Sequence, residues 1–300
     1  MTDTPAQDGA ELGVALAPLR ARYAHWLGLD EAQVLADRDE AAGEIRALQL
    51  VLRLERNPDP APSWHRGLEL AASGCAALCL DPRSAPGGEW FDAVDGYCRG
   101  HIRKVTRRAR AGEWAATADL PGRTLSDAGT EIRVLLPGLV NELDKRVGKL
   151  QVGGTDLPVD EPAAGPVDAA DAVGTGAVGA DELRAHPGEL LLWVPTDPPM
   201  TAGKQMAQTG HAGMIAAALL ADSDQETLRR WYSAGCPARV RRLPPEAYQA
   251  LGEQLAEPRA AWDRSRLLAV RDAGFTEIAP GTVTVLARAP LAPADDATPA

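Results

Sequence analysis

Lys204, Gln208 and His211 fall at i, i+4 and i+7 within MTAGKQMAQTGHAG (200–213), so on a helix all three share one face. Thr201 is a suitable N-cap, which puts Lys204 in the first turn. There the exposed amides and the helix dipole favour an anion over a cation. A lysine set against that preference makes sense if it meets a substrate phosphate or a developing oxyanion. The chain uses lysine sparingly, 4 against 27 arginines, and a merely positive surface position has no need of one. A solvated helix start followed by a half-buried histidine fits the same spacing. Gln205 follows the GK pair where a phosphate loop needs Ser or Thr. His211 has no second ligand at metal spacing, so no metal and no nucleotide cofactor is expected.

A second candidate is RDAGFTEIAPGTVTVLA (271–287), in which Asp272, Gly274, Thr276 and Gly281 mark a tight loop between two strands. Such a loop can present a fixed carboxylate and a hydroxyl, although an Asp-Ala-Gly turn is also an ordinary structural device. Taken together, GKQMAQTGHA and DAGFTEIAPGTVTVLA, preceded by an apolar strand, resemble the archaeal/eukaryotic-type (type 2) peptidyl-tRNA hydrolases over about 186–290. The resemblance implies an α/β fold, a mixed four-stranded sheet flanked by helices. It implies hydrolysis of the ester joining a peptide to the 3′ ribose of tRNA, which recycles the tRNA.

Lys204, Gln208, His211, Asp272 and Thr276 fall on the family's motif positions, with Gly203 and Gly281 beside them as substrate-binding candidates. Ester chemistry suggests a division of labour. Asp272 orients or deprotonates water, with Thr276 holding it. Lys204 offsets charge on the oxyanion or a phosphate, and Gln208 supplies a polar contact. His211 either takes part or fixes the helix against the sheet. No Ser or Cys stands in a nucleophile motif, so no covalent acyl-enzyme is expected. The chain departs from the family at Pro195, at EPRAAWDR (257–264) and at the closing ARAP.

The elements that must position these residues read as strand, two helices, strand, helix and two strands. ELLLWVPT (189–196) is a buried-strand run, helices follow at about 202–221 and 224–234, and ARVRRL (238–243) is a basic strand. PEAYQALGEQLAE (245–257) reads as a helix, and SRLLAV and TVTVLARA close the unit as strands. Much of this order occurs earlier. LQLVLRLE (48–55) mirrors the first strand, CAALCLD (75–81) lies 141 residues before AAALLAD, and Trp90 precedes Trp231 at the same offset. HIRKVTRRAR (101–110) stands where ARVRRL stands, and TEIRVLLPG (130–138) resembles TVTVLARAP. This pattern predicts an internal duplication, with chance similarity of two alanine-rich segments as the alternative.

At that offset Lys204, Gln208 and His211 correspond to Ser63, Gly67 and Leu70, so the first copy reads as catalytically silent. SDAGTEI (126–132) echoes RDAGFTEI but is aligned here with the start of the last strand. Arg103, Lys104, Arg107, Arg108 and Arg110 form one basic run, either a solvated face or a phosphate-binding patch for the tRNA body. Arg103, Lys104, Arg107 and Arg108 are the substrate-binding candidates within it. A fused silent copy would replace the second subunit of a family dimer, giving a monomeric pseudo-dimer, with a homodimer as the alternative.

The formal charge of −11 is uneven. Residues 1–45 carry 9 acids against 3 bases and 151–185 carry 7 against 1, while 46–150 carry 13 against 16 and 186–290 carry 11 of each. Neutral to basic folded parts leave room for an RNA partner despite the total. Expected boundaries are a helical N-terminal extension (1–45), the degenerate domain (46–150), a flexible linker (151–185), the catalytic domain (186–292) and a disordered tail (293–300). Four cysteines without CxxC pairing, and no apolar run of membrane-spanning length, suggest a reduced, cytoplasmic protein with no membrane and no DNA partner. Two other functions fit the sequence: a silent tRNA- or RNA-binding protein, and a protein-interaction adapter on the same fold.

Overall fold

A computed structural model describes residues 11–37, 40–160, 186–274 and 277–292. Helices α1 (Ala17–Leu27) and α2 (Glu31–Ala36) precede β1 (Arg46–Arg53). Then come α3 (Trp64–Leu80), α4 (Phe91–Arg99), β2 (Lys104–Ala109), α5 (Ala111–Ala116), β3 (Gly122–Asp127), β4 (Thr130–Leu135) and the short β5 (Gly138–Leu139). Helix α6 (Lys145–Gly148) ends this half. The second half runs β6 (Leu190–Pro195), α7 (Ala202–Ser223), α8 (Gln225–Ser233), β7 (Ala238–Leu243), α9 (Pro245–Glu253), α10 (Pro258–Ser265), β8 (Leu267–Arg271) and β9 (Val283–Arg288).

Two mixed sheets result, ordered β2-β1-β4-β3 and β7-β6-β9-β8, with β5 added beside β1. In each, the first strand pairs parallel with the second and antiparallel with the last. The apolar runs explain the central places. A strand covered on both faces has no polar side to alternate, and all six residues of β6 are buried. Helices α3 and α7 form the layer between the sheets. Their small residues allow close contact: a Cβ on Gly213 would stand 2.3 Å from the Ala72 carbonyl oxygen, and one on Gly210 2.9 Å from Cys75 Sγ. Alanine and glycine thus take over the packing that a chain poor in aromatics leaves to them.

The two halves share their four main strands in the same order and pairing, consistent with a duplicated fold, but the match does not keep one offset. Trp90 precedes α4, whereas Trp231 lies inside α8. Tyr97 takes the corresponding place: its hydroxyl donates to Arg103 O (2.8 Å) just before β2, as Trp231 Nε1 donates to Pro237 O (3.0 Å) just before β7. The 245–257 segment is a helix only to Glu253, and EPRAAWDR supplies α10, whose Trp262 is buried.

The linker expectation also changes at its start. Residues 151–160 lie on the body: Arg108 N–H donates to Gln151 O, Thr155 and Leu157 are buried, and Asp160 accepts from His65 Nδ1 at 2.8 Å. Residues 161–185 and the 293–300 tail lie outside the described residues. No helix among the described residues is long and apolar enough to cross a membrane.

Candidate active site

Asp272 leaves the end of the edge strand β8, and its backbone closes the loop that follows. Its N–H donates to Thr282 O (2.9 Å) and its carbonyl accepts from Gly281 N–H (2.7 Å). Gly281 has φ 81°, a conformation that favours glycine, and it closes this turn. With the backbone fixed, the carboxylate is aimed at the start of α7. Asp272 is 5% exposed.

Helix α7 brings the partners. Thr201 caps it, its hydroxyl oxygen accepting from Lys204 N–H at 3.2 Å. Asp272 Oδ2 accepts from Lys204 Nζ (2.5 Å) and from Gln208 Nε2 (2.7 Å), while Oδ1 accepts from Gly274 N–H (2.7 Å). Gln208 is oriented in turn: its carbonyl oxygen accepts from Thr284 Oγ1 of β9 at 2.6 Å. The polar contact that Gln208 makes is with the carboxylate, which it braces. The lysine's place in the first turn is also accounted for. Asp272 pairs with it, and Glu277 accepts from Thr201 N–H (3.0 Å) and Oγ1 (2.7 Å), giving the helix end the anion it favours.

These residues line a cavity of about 500 Å³ that also touches α1 and β2. His211 lines it and meets Lys104 Nζ from the first sheet at 3.2 Å from Nδ1. Burial and the charges of Lys104 and Lys204 hold this imidazole well below its ordinary pKa, and burial lowers that of Lys104. Helix α1 forms another wall. The Tyr23 hydroxyl both donates to Ala269 O and accepts from Ala269 N–H (3.0 Å each), covering the open edge of β8. Arg271 donates to the carbonyls of Leu27 (3.0 Å) and Leu29 at the end of α1. The sequence reading missed this wall, though Leu19, Tyr23, Trp26 and Leu27 share one helical face and carried the signal.

Thr276 lies outside the described residues. Gly203 lines the cavity close against Thr155, whose Oγ1 an added Cβ would strike. The basic run is split by strand alternation. Lys104 and Thr106 face α7, whereas Arg107 turns to the other side, where it donates to Gln49 and to Leu150 O. Arg103 lines the cavity beside Lys104 and pairs with Glu40 at 2.7 Å, and Arg108 bonds Gln151. No single phosphate patch is formed by the five.

The first half holds a partial image of the site. Leu50 lies opposite Val134, and Val134 opposite Arg123; Leu192 lies opposite Ala287, and Ala287 opposite Leu268. Asp127 is thus four residues along its edge strand, as Asp272 is along β8. Ser63 caps α3 and accepts from Arg66 N–H (3.1 Å), making Arg66 the counterpart of Lys204, and Arg66 Nε meets Asp127 at 3.2 Å. On that helix Leu70 replaces Gln208 and Ser73 replaces His211. This corrects the assignment to Ser63, Gly67 and Leu70. TEIRVL does form the last strand, and SDAG still aligns with RDAG because the intervening loop has shrunk to a hairpin through Ala128 and Gly129, both at positive φ.

A buried carboxylate braced by lysine and glutamine at the floor of a cavity, on a mixed α/β sheet, is an arrangement suited to activating water. The family model described as Peptidyl-tRNA hydrolase PTH2 matches residues 189–297. The "Probable peptidyl-tRNA hydrolase 2" of Drosophila melanogaster is 31% identical over 153 residues, 49% of this chain and 79% of the relative. The "Peptidyl-tRNA hydrolase" of Nanoarchaeum equitans is 32% identical over 89 residues, covering 29% of this chain and 73% of the relative. "Peptidyl-tRNA hydrolase 2, mitochondrial" of Bos taurus is 36% identical over 107 residues, and the chain spans 57% of its length. The chain belongs to the PTH2 family.

Proposed function

We propose that the chain hydrolyses the ester between peptide and tRNA in peptidyl-tRNA, freeing the tRNA for reuse. The observation that carries this reading is Asp272, buried yet facing the cavity and fixed by Lys204, Gln208 and the Gly274 amide. A carboxylate offers about four lone-pair sites, and these three donors leave one for a water. Asp272 takes a proton as the water oxygen bonds to the ester carbonyl carbon. Lys204 stabilises the negative charge that collects on the carbonyl oxygen. The bond from carbon to the ribose 3′ oxygen then breaks, and the proton passes to that oxygen. Thr276 of the same loop steadies the water.

The first half is read as a silent second copy, so that one chain reproduces a dimer. Leu70 in place of Gln208 supports this, because nothing there braces Asp127 as Asp272 is braced. Four buried free cysteines fit a reducing compartment, the cytoplasm by our reading. The test is release of free tRNA from an N-acetylated aminoacyl-tRNA by the full chain, against Asp272→Asn. Release by the parent and not by the variant is expected. A parent that binds the RNA without releasing it would instead mark a binding protein.

A further inference from the structure

Lys104 is one of four lysines in the chain, and it reaches the cavity from the first sheet rather than from the half that carries Asp272. Its ammonium has three N–H groups and meets three acceptors: Tyr97 Oη (3.3 Å), Ile102 O (3.4 Å) and His211 Nδ1 (3.2 Å). The Tyr97 hydroxyl gives its own proton to Arg103 O, so its oxygen is left to accept. Gly210 makes room for the lysine stem, since a Cβ there would stand 3.1 Å from Lys104 Cδ.

An ammonium only donates, so the Lys104 charge fixes the imidazole opposite it. Nδ1 accepts, so in the neutral ring the proton is on Nε2. Burial beside two ammonium groups keeps the ring neutral. Among the described residues Nε2 has no hydrogen-bond partner, and the ring lines the cavity.

The equivalent place in the other half lacks the pair. Leu48 lies opposite Lys104 and Leu190 opposite Ala238, so alanine replaces this lysine there, and Ser73 replaces His211. The pair thus occurs where the braced carboxylate occurs.

We infer that Lys104 is a positioning residue that holds His211 as its Nε2–H tautomer, so that the ring donates a hydrogen bond to the bound ester. The inference rests on the hydrolase reading for its ligand, but the tautomer does not. The active site then draws one residue from the first half, which makes that half part of the site and not only its support. His211 is a donor here and takes no proton from water.

The experiment is ¹⁵N NMR of the full chain labelled at histidine, together with kinetics on N-acetylated aminoacyl-tRNA. An unprotonated Nδ1 and a protonated Nε2 at His211 are expected, with the pattern lost or mixed in Lys104→Met. Loss of one oriented hydrogen bond should lower kcat about tenfold in Lys104→Met with KM little changed. Lys104→Met should slow His211→Ala no further, because the first residue acts through the second. A protonated Nδ1 in the parent, or additive losses in the double variant, would overturn the inference. A parent that turns over with the opposite tautomer overturns it and leaves the hydrolase reading standing. A parent with the expected tautomer and no turnover overturns the hydrolase reading and the ester as ligand, and leaves the Lys104–His211 pairing.

Discussion

Asp127 and Asp272 stand at the same place in their two sheets, each met by a cation from the third helical position of the central helix: Arg66 at 3.2 Å and Lys204 at 2.5 Å. Only Asp272 is also held by a glutamine. Asp127 is more open, with its side chain 53% exposed against 5% for Asp272. An exposed ion pair contributes little, roughly 0 to 1 kcal/mol. Asp127→Asn should therefore leave both tRNA release and the unfolding midpoint near the parent's. A large loss of turnover in this variant would show that the first half is not silent.

Gln208→Leu places in the second half the residue that the first half carries. The buried carboxylate loses a donor at 2.7 Å, and the Thr284 hydroxyl loses the nearer of its two acceptors and keeps Val270 O at 3.3 Å. Leaving a buried polar group unsatisfied costs about 1 to 3 kcal/mol. Thermal unfolding should show that loss, and kcat should fall while RNA binding holds. Unchanged kcat would mean that the brace is not needed.

How much of this could be read from the sequence differs by level. The runs LQLVLRL and ELLLWVP could hardly be anything but buried strands, and the Lys204–Gln208–His211 spacing gave a face of α7 correctly. Lys204 and Asp272 could be paired in advance only because both motifs together resembled a family. The alignment of the halves was obscured because insertions and deletions shift it repeatedly. Leu50 matches Leu192, Ser63 matches Thr201, Tyr97 matches Trp231 and Asp127 matches Asp272, each at a different spacing. The basic run misled for a local reason: consecutive residues of a strand face opposite ways, so adjacent charges do not make one patch. Lys104 meets His211 through tertiary packing, which no pattern in either segment records.

Helix α1 should dock through two polar contacts. Tyr23→Phe removes the hydroxyl that satisfies both backbone groups of Ala269. The expected result is faster hydrogen exchange at the Ala269 amide and across α1, with a destabilisation of about 1 to 3 kcal/mol. Arg271→Met, which uncaps the carbonyl end of α1, should add to the exchange in the same helix. Exchange confined to the mutated contacts would argue against a docked wall.

Acid should destabilise the fold partly through His211. The native ring stays neutral well below its ordinary value, while in the unfolded chain it protonates near about 6.5. Below that pH the unfolded state binds more protons, so stability falls as pH falls. Urea unfolding of His211→Gln should show a shallower loss than the parent between pH 7 and 5, by at most about 1.4 kcal/mol per pH unit for one group. Equal slopes would mean that the ring titrates normally in the native state.

In the proposed mechanism Asp272 performs the hydrolysis and is not needed to hold the RNA. Single-turnover cleavage of N-acetylated aminoacyl-tRNA, measured beside its binding, separates these roles for Asp272→Asn. Binding is expected to stay within a few-fold while the cleavage rate falls by about 100-fold or more, as for loss of a general base. Cleavage by the variant at the parent's rate would contradict this mechanism.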